Sequence, residues 1–284
     1  MRLVTWNVAG RVTRQPEQAA VLTAVEPDVV ALQEVTARTL PLWAEALAAA
    51  GFTSVKTALK GVTRPVGGRR LLGVLTAARV EVRVLPAPDV PWPERLLCCA
   101  LGDVEVVNLH SPISPAPELA KVRTHEAVAE YLLASPAGPR VLCGDLNTPR
   151  RELPDGTVLT FAHDSAGRLR PERGERWHRA ESALVQGLRE HGWVDAFRAL
   201  HGYGAREASW RFPQDRGGWR LDHVLVNGLH PVASAYAHDW RRSGLSDHSA
   251  LVVDLEAGQD ERHEEEPRRH GSGPFRAGRS DSPG

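Results

Sequence analysis

Lysine is nearly missing from this chain, with only Lys56, Lys60 and Lys121 among 35 basic residues, so arginine carries almost all of the positive charge. Those 35 are matched by 35 acidic residues, and the formal net charge is zero. A balanced chain has no overall field to draw in a polyanion, which weighs against tight, indiscriminate binding of nucleic acid. Cysteine is scarce as well: Cys98, Cys99 and Cys143 make neither a disulfide framework nor a zinc spacing, and they read as buried, inert thiols. No uninterrupted apolar run approaches the roughly 18 residues of a membrane span. The opening Met1-Arg2-Leu3-Val4-Thr5-Trp6 has the pattern of a strand and not of a signal peptide, so the expected location is cytoplasmic.

What is present is ordinary globular material, 42% hydrophobic and 25% charged. From Ala257 onward the composition changes to mixed charges with Gly, Pro and Ser and almost no apolar residue beyond Phe275. Such a segment cannot build a core, which predicts a folded domain over residues 1–256 and a disordered tail over 257–284. In the body, short β-branched runs predict strands at Leu3 to Val8, Asp28 to Leu32, Leu71 to Thr76, Val80 to Leu85, Arg95 to Leu101, Val104 to Leu109, Arg140 to Cys143, Leu221 to Val226 and Ser249 to Leu255. Helical patterns occupy Pro16 to Val25, Arg38 to Ala50, Glu118 to Leu133 and Trp177 to Arg189. Two sheet layers with helices outside them is the economical α/β arrangement. Two Gly- and Arg-rich stretches, Lys60 to Arg70 and Asp164 to Arg176, read as long surface loops able to contact a substrate.

Polar residues at the ends of the apolar runs carry the chemistry. Glu34 closes Val29-Val30-Ala31-Leu32-Gln33, so a buried strand delivers a carboxylate that needs a partner, either a cation or an arginine. Asn7 ends the first strand, where an amide serves a metal, a phosphate oxygen or simply a turn. Asp145 and Asn147 follow Val141-Leu142-Cys143-Gly144 and share one side if the backbone stays extended, a carboxylate to accept a proton beside an amide to steady an oxyanion. Asp222 precedes the run to Val226, and Ser246-Asp247-His248 precedes the last strand. Asp222 is the expected partner of His248, holding its imidazole in the cationic form. His110, at another strand end, is expected to be a second cationic donor.

In their order along the chain, Trp6-Asn7, Leu32-Gln33-Glu34, Leu109-His110-Ser111, Gly144-Asp145-Leu146-Asn147, Arg220-Leu221-Asp222 and Ser246-Asp247-His248 resemble the DNase I-like endonuclease/exonuclease/phosphatase superfamily. The resemblance covers Leu3 to Leu255. It implies a four-layered α/β sandwich, two packed mixed sheets flanked by helices, with the site along one edge. It further implies Asn7, Glu34 and Asp247 at the metal end, Mg²⁺ or Mn²⁺ as the ion, and Asp145 and Asn147 at the attacking water, with Asp222 orienting His248. Gly192 to Arg198 and the stretch Ser209-Trp210 to Gly218-Trp219-Arg220 are also similar to the family, the second lying near substrate in its nucleases. His110-Ser111-Pro112 stands where abasic-site enzymes carry a tyrosine, and Val35-Thr36-Ala37-Arg38 lacks their lysine. Both departures tell against abasic-site specificity.

Three functions follow as alternatives: a metal-dependent phosphodiesterase acting on DNA or RNA, a phosphatase or phosphodiesterase for a small or lipid-linked phosphate, and a noncatalytic module that keeps the fold. The expected partner is a phosphate-ester substrate, with no membrane span and no obligate protein partner.

Overall fold

The computed structural model describes residues 1–61, 70–134 and 138–258. Alternation along the central strands explains how the layers form. In β1 (Arg2–Asn7), Val4 and Trp6 join an apolar cluster with Ala19 and Leu22 of α1 (Gln15–Thr23), while Leu3 joins a different one. Opposite faces of one strand therefore feed two cores. In β2 (Val29–Val35), Val30 and Leu32 meet Trp43 and Leu47 of α2 (Leu40–Ala49), and Val29 and Ala31 face the other way. The chain continues through β3 (Ser54–Thr57), β4 (Gly73–Ala78), β5 (Arg83–Val84), β6 (Leu96–Leu101) and β7 (Val104–His110). After α3 (Ala120–Ala134) come β8 (Arg140–Asp145), the short pair β9 (Arg151–Glu152) and β10 (Val158–Leu159), and α4 (Gly174–Val185). Next are β11 (Val194–Asp195), α5 (Ala196–His201), β12 (Trp210–Arg211), β13 (Gly218–Trp219), β14 (Asp222–Asn227), β15 (Leu229–Ala237), α6 (His238–Arg242) and β16 (Ala250–Ala257).

Two six-stranded mixed sheets result, with orders β15-β16-β1-β2-β4-β3 and β11-β14-β8-β7-β6-β5. Each has one parallel pair at its centre, β1 with β2 and β7 with β8, flanked by antiparallel neighbours. Leu3, Ala31, Val106, Val141, Cys143, Val224 and Val253 fill the space between the sheets. Val107, Leu109 and Leu142 pack outward against Val128 and Leu132 of α3 and Leu184 of α4. Helix, sheet, sheet, helix is the four-layered sandwich that the family resemblance implies.

The details differ at the margins. The strand expected at Val80 to Leu85 shrinks to β5, β3 and β15 come in addition, and the last strand reaches Ala257. The helix expected to reach Arg189 stops at Val185 and gives way to a 3-10 turn. The loop expected at Lys60 to Arg70 lies outside the described residues except at its ends, as does the tail beyond Gly258. Asp164 to Arg176 is a closed loop in which the Asp164 carboxylate accepts from the N–H groups of Ala166 and Arg168, and its last residues begin α4. Among the described residues no helix is long and apolar enough to cross a membrane.

Candidate active site

The inward rows of the central strands turn polar toward one edge. Leu3-Thr5-Asn7, Ala31-Gln33, Val106-Asn108-His110, Val141-Cys143-Asp145 and Val226-Val224-Asp222 each alternate from the intersheet core to a hydrogen-bonding residue. The step before the edge is an amide layer. Gln33 Nε2 donates to Asn108 Oδ1 at 2.8 Å and to Thr5 Oγ1 at 3.0 Å, and Asn108 Nδ2 donates to the Leu75 carbonyl at 2.9 Å. These bonds tie the two sheets together directly below the site, where unpaired polar groups would be costly.

Strand register then sets three functional side chains side by side. His110 of β7 pairs with Asp145 of β8, which pairs with Asp222 of β14. His248 closes the row: its Nδ1 lies 2.7 Å from Asp222 Oδ2, and its Nε2 lies 3.8 Å from Asp145 Oδ2. His110 Nε2 is also 3.8 Å from that oxygen and 3.7 Å from Glu34 Oε1. Distances near 3.8 Å are too long for hydrogen bonds, and a water or a substrate oxygen between the groups would complete them.

The backbone is bent to make this possible. Glu34 sits where the register of β2 against β4 slips, a bulge that re-aims its side chain, and its φ is 59°. Asn147 has φ 52°, so the backbone does not stay extended past Asp145 as the sequence reading required. A turn links the pair instead, with Asn147 N–H donating to Asp145 Oδ1 at 3.0 Å and Asn147 Nδ2 to the Ser111 carbonyl at 2.8 Å. Two non-glycine residues in the left-handed region at one site represent backbone strain held by the surrounding structure. Gly144 answers a different need, since at φ 131° a Cβ would run into the Leu109 carbonyl on β7.

Asn7 joins the carboxylates. Its Nδ2 donates to Asp145 Oδ2 at 3.0 Å and to Glu34 Oε1 at 3.2 Å, while its Oδ1 accepts from Ala9 N–H at 3.0 Å. Because a backbone N–H can only donate, that last bond fixes which way the amide faces. Ser246 Oγ donates to the Asn7 carbonyl at 2.6 Å, bringing the neighbouring Asp247 to the end of β1. Asp247 is exposed, and among the described residues it makes no hydrogen bond or ion pair. Trp6 Nε1 donates to the His248 carbonyl at 3.0 Å, which anchors the histidine segment to the first strand.

Charge divides unevenly over this cluster. Burial pushes the Asp145 carboxyl upward, with His248 opposing and Asp222 adding to the shift. Burial also disfavours a charged His248, yet Asp222 and Asp145 outweigh it and hold the ring above its ordinary value, cationic at neutral pH. His110 behaves in the opposite way. Burial, then the charges of Arg95 and His248, hold it well below the ordinary imidazole value, so it is neutral and not the second cation expected from the sequence. The positive charge beside it belongs to Arg95. It is buried on a 3-10 turn at Pro93–Arg95, with Nη1 3.5 Å from His110 Nε2 and its guanidinium over the Trp92 ring. Nothing in the Trp92-Pro93-Glu94-Arg95 pattern announces this role.

Asp145, Asp222 and His248 bring three potential ligand atoms within 4.8 Å of one another. The 2.7 Å bond between Asp222 and His248 Nδ1 occupies the nitrogen, so this trio is a hydrogen-bonded ion-pair array. The carboxylates left open to solvent at this edge are Glu34, which keeps 24% of its side chain exposed, and Asp247, and oxygen donors of this kind suit a hard divalent cation. There the donors are oxygens, and four carboxylates, Glu34, Asp145, Asp222 and Asp247, outnumber the cationic groups His248 and Arg95.

Comparison with known proteins agrees with this fold. Exodeoxyribonuclease III of Haemophilus influenzae is 24% identical over 255 residues, covering 80% of this chain and 88% of that protein. The structure of an AP endonuclease from Archaeoglobus fulgidus superposes with a TM-score of 0.67 at 20% identity, over 90% of this chain and all of that one. The 3′ phosphatase NExo from Neisseria, solved with a product DNA hairpin, superposes with a TM-score of 0.61 at 22% identity, over 90% of this chain and 99% of that one. The profile of the Endonuclease/Exonuclease/phosphatase family matches residues 4–248, from the first strand to the histidine of the ion-pair array, and this chain belongs to that family of phosphate-ester hydrolases.

Proposed function

We propose that the protein is a phosphodiesterase dependent on Mg²⁺ or Mn²⁺ that hydrolyses nucleic acid by attack of water. The observation that carries this reading is the position of Asp145 Oδ2, 3.8 Å from both His110 Nε2 and His248 Nε2, a spacing that an oxygen hydrogen-bonded to both groups would bridge. Asp145 accepts the proton of the attacking water, and the Asn7 amide and the Asn147 N–H hold its two oxygens in place. His248 donates from Nε2 to a phosphoryl oxygen as negative charge builds, while Asp222 fixes the other ring proton. The Asn147 amide has two N–H bonds to give, and one remains for substrate after Ser111. Neutral His110 serves as a hydrogen-bonding group. Glu34 and Asp247 would hold the cation, with Asn7 steadying Glu34, and the bound ion would neutralise nonbridging phosphate oxygens.

Nucleic acid is favoured by an aromatic group next to the array. Trp210 and Trp219 stack at 5.2 Å and 13°, Phe212 and Phe161 meet Trp219 edge-on, and both tryptophans stay half-buried. Trp210 bridges to His248 through the backbone. Such rings offer faces to bases or sugars. The named nucleases among the relatives support the same class. The test is hydrolysis of a labelled oligonucleotide beside a small phosphomonoester and a phosphoinositide, with Mg²⁺, Mn²⁺ or chelator. Cleavage of the oligonucleotide with either metal, lost in chelator and in Asp145→Asn, supports the reading. Turnover of the small or lipid-linked esters alone would assign the second class, and no turnover of any of them would leave the noncatalytic module.

A further inference from the structure

A cavity of about 440 Å³ opens between β9, the segment after α5 and β13, in the size range of small-ligand sites. Its wall includes Trp219, and its floor is a closed ion cluster. Glu152 accepts from both Arg198 and Arg220, and Arg220 also donates to Asp195, with separations of 2.6 to 3.2 Å. Two guanidinium groups and two carboxylates cancel there. Glu207, also in the wall, is paired with His238 at 3.0 Å.

Three further arginines of the wall have no such use. Among the described residues the side chains of Arg150, Arg151 and Arg206 make no hydrogen bond or ion pair, Arg151 and Arg206 are exposed, and Arg150 is half-buried. A chain that is neutral overall thus carries a local excess of guanidinium around one concavity, a group suited to bidentate contact with phosphate. The position relative to the chemistry is fixed by the chain itself. Arg150 is three residues beyond Asn147, and Trp219 is three residues before Asp222. Three residues span at most about 11 Å. With the reach of an arginine side chain added, that spans on the order of one to three phosphate-to-phosphate steps of a single strand.

We infer that this arginine-lined cavity is a subsite for a backbone phosphate of the substrate strand, one to three nucleotides from the scissile bond, gripped by Arg150, Arg151 and Arg206. The inference rests on the nucleic-acid reading of the active site and adds to it a second, electrostatic anchor. An anchor at that distance favours oligonucleotides over mononucleotides and small esters, which cannot reach both places.

Equilibrium binding of a fluorescent single-stranded oligonucleotide in chelator tests it without turnover, comparing wild type, the triple variant R150Q/R151Q/R206Q, and R83Q on the opposite edge strand. The triple variant should bind at least ten-fold more weakly at low salt. Its slope of log affinity against log salt should flatten by about 0.7, the value for one neutralised phosphate on a single strand. R83Q should match wild type. Neutralising the oligonucleotide's phosphates one at a time as methylphosphonates should reveal one position that weakens wild type and leaves the triple variant unaffected. Wild-type affinity and slope in a folded triple variant that still cleaves oligonucleotides would overturn the subsite alone. Wild-type protein that turns over small esters but neither binds nor cleaves the oligonucleotide would remove the nucleic-acid reading and the subsite together.

Discussion

Asp222 Oδ2 and His248 Nδ1, 26 residues apart in sequence, meet at 2.7 Å in the buried row that begins at His110 and runs through Asp145. The carboxylate fixes the ring proton on Nδ1 and leaves Nε2 aimed across the cleft. Replacing His248 with Ala is expected to lower kcat on the order of 10²-fold or more, the usual effect of losing a charge-stabilising donor. Asp222→Asn should cost a comparable factor, because the amide removes the charge that keeps the ring cationic. Oligonucleotide turnover at saturating metal, with circular dichroism as a check on folding, reads both. Wild-type kcat in a folded His248→Ala protein would remove the histidine from the mechanism.

Glu34 and Asp145 share the Asn7 amide, yet they should fail differently. Glu34→Gln is expected to raise the Mg²⁺ or Mn²⁺ concentration for half-maximal activity by ten-fold or more, with part of the rate recovered at high metal. Asn7→Ala should show a smaller shift of the same kind, since it orients Glu34. Asp145→Asn should lose turnover without recovery. Titrating each metal against rate separates the three, and an unchanged half-saturation in Glu34→Gln would place the ion elsewhere.

How much of this was legible in sequence follows from what kind of force places each group. Asn7, Glu34, His110, Asp145 and Asp222 sit at the ends of apolar runs that are plain in the sequence, and the structure brings them to one edge. Arg95 was not legible, because its approach to His110 depends on a 3-10 turn between two sheets. The charge of His110 lies beyond the sequence for a related reason: burial and Arg95 lower its pKa, and both are tertiary. The expected strand at Val80 to Leu85 is cut to two residues on a sheet edge, beside the prolines Pro86, Pro88 and Pro91, which cannot donate to a ladder. β15 escaped notice because Leu229–Ala237 contains Pro231, a register slip and several small residues, and is held by its pairing to β16.

Gly144→Ala tests the backbone beneath the site. The added methyl meets the Leu109 carbonyl, and φ 131° is itself strained for alanine. The expected loss is more than about 1 kcal/mol, read as a lower urea midpoint at unchanged slope. Activity should fall further than stability, because His110 and Asp145 are register partners across this point.

Lys121 is buried and bridges two structures: Nζ lies 2.7 Å from Glu181 Oε1 and donates to the Asn147 carbonyl at 2.6 Å. Glu181 also accepts from Thr148 Oγ1, Phe161 N–H and Trp177 Nε1. Lys121→Met leaves this carboxylate buried without its cation, at an expected cost of about 3–5 kcal/mol in chemical denaturation. Adding Glu181→Gln to it should recover part of that loss. Equal stability of the single and double variants would show that the ion pair is not what holds the Asn147 turn.

Acid should destabilise the protein over two pH windows, one set by His125 and one by Glu152. His125 accepts or donates at Ser111 Oγ, and burial, with Lys121 nearby, pulls its pKa from 6.5 down to about 3. Between these values the unfolded chain binds a proton that the native ring refuses, so stability falls as pH drops from about 6.5 toward 3. Glu152 adds a lower window. Burial alone would raise its pKa, but Arg220 and Arg198 bring it from 4.5 down to about 2. Its contribution is complete above about 4.5 and disappears toward 2. Each group gives a slope of about 1.4 kcal/mol per pH unit inside its window. Urea midpoints from pH 7 to 3 should therefore begin to fall below 6.5 and steepen below 4.5. In His125→Gln the first decline should be shallower, and an unchanged profile would assign it to other groups.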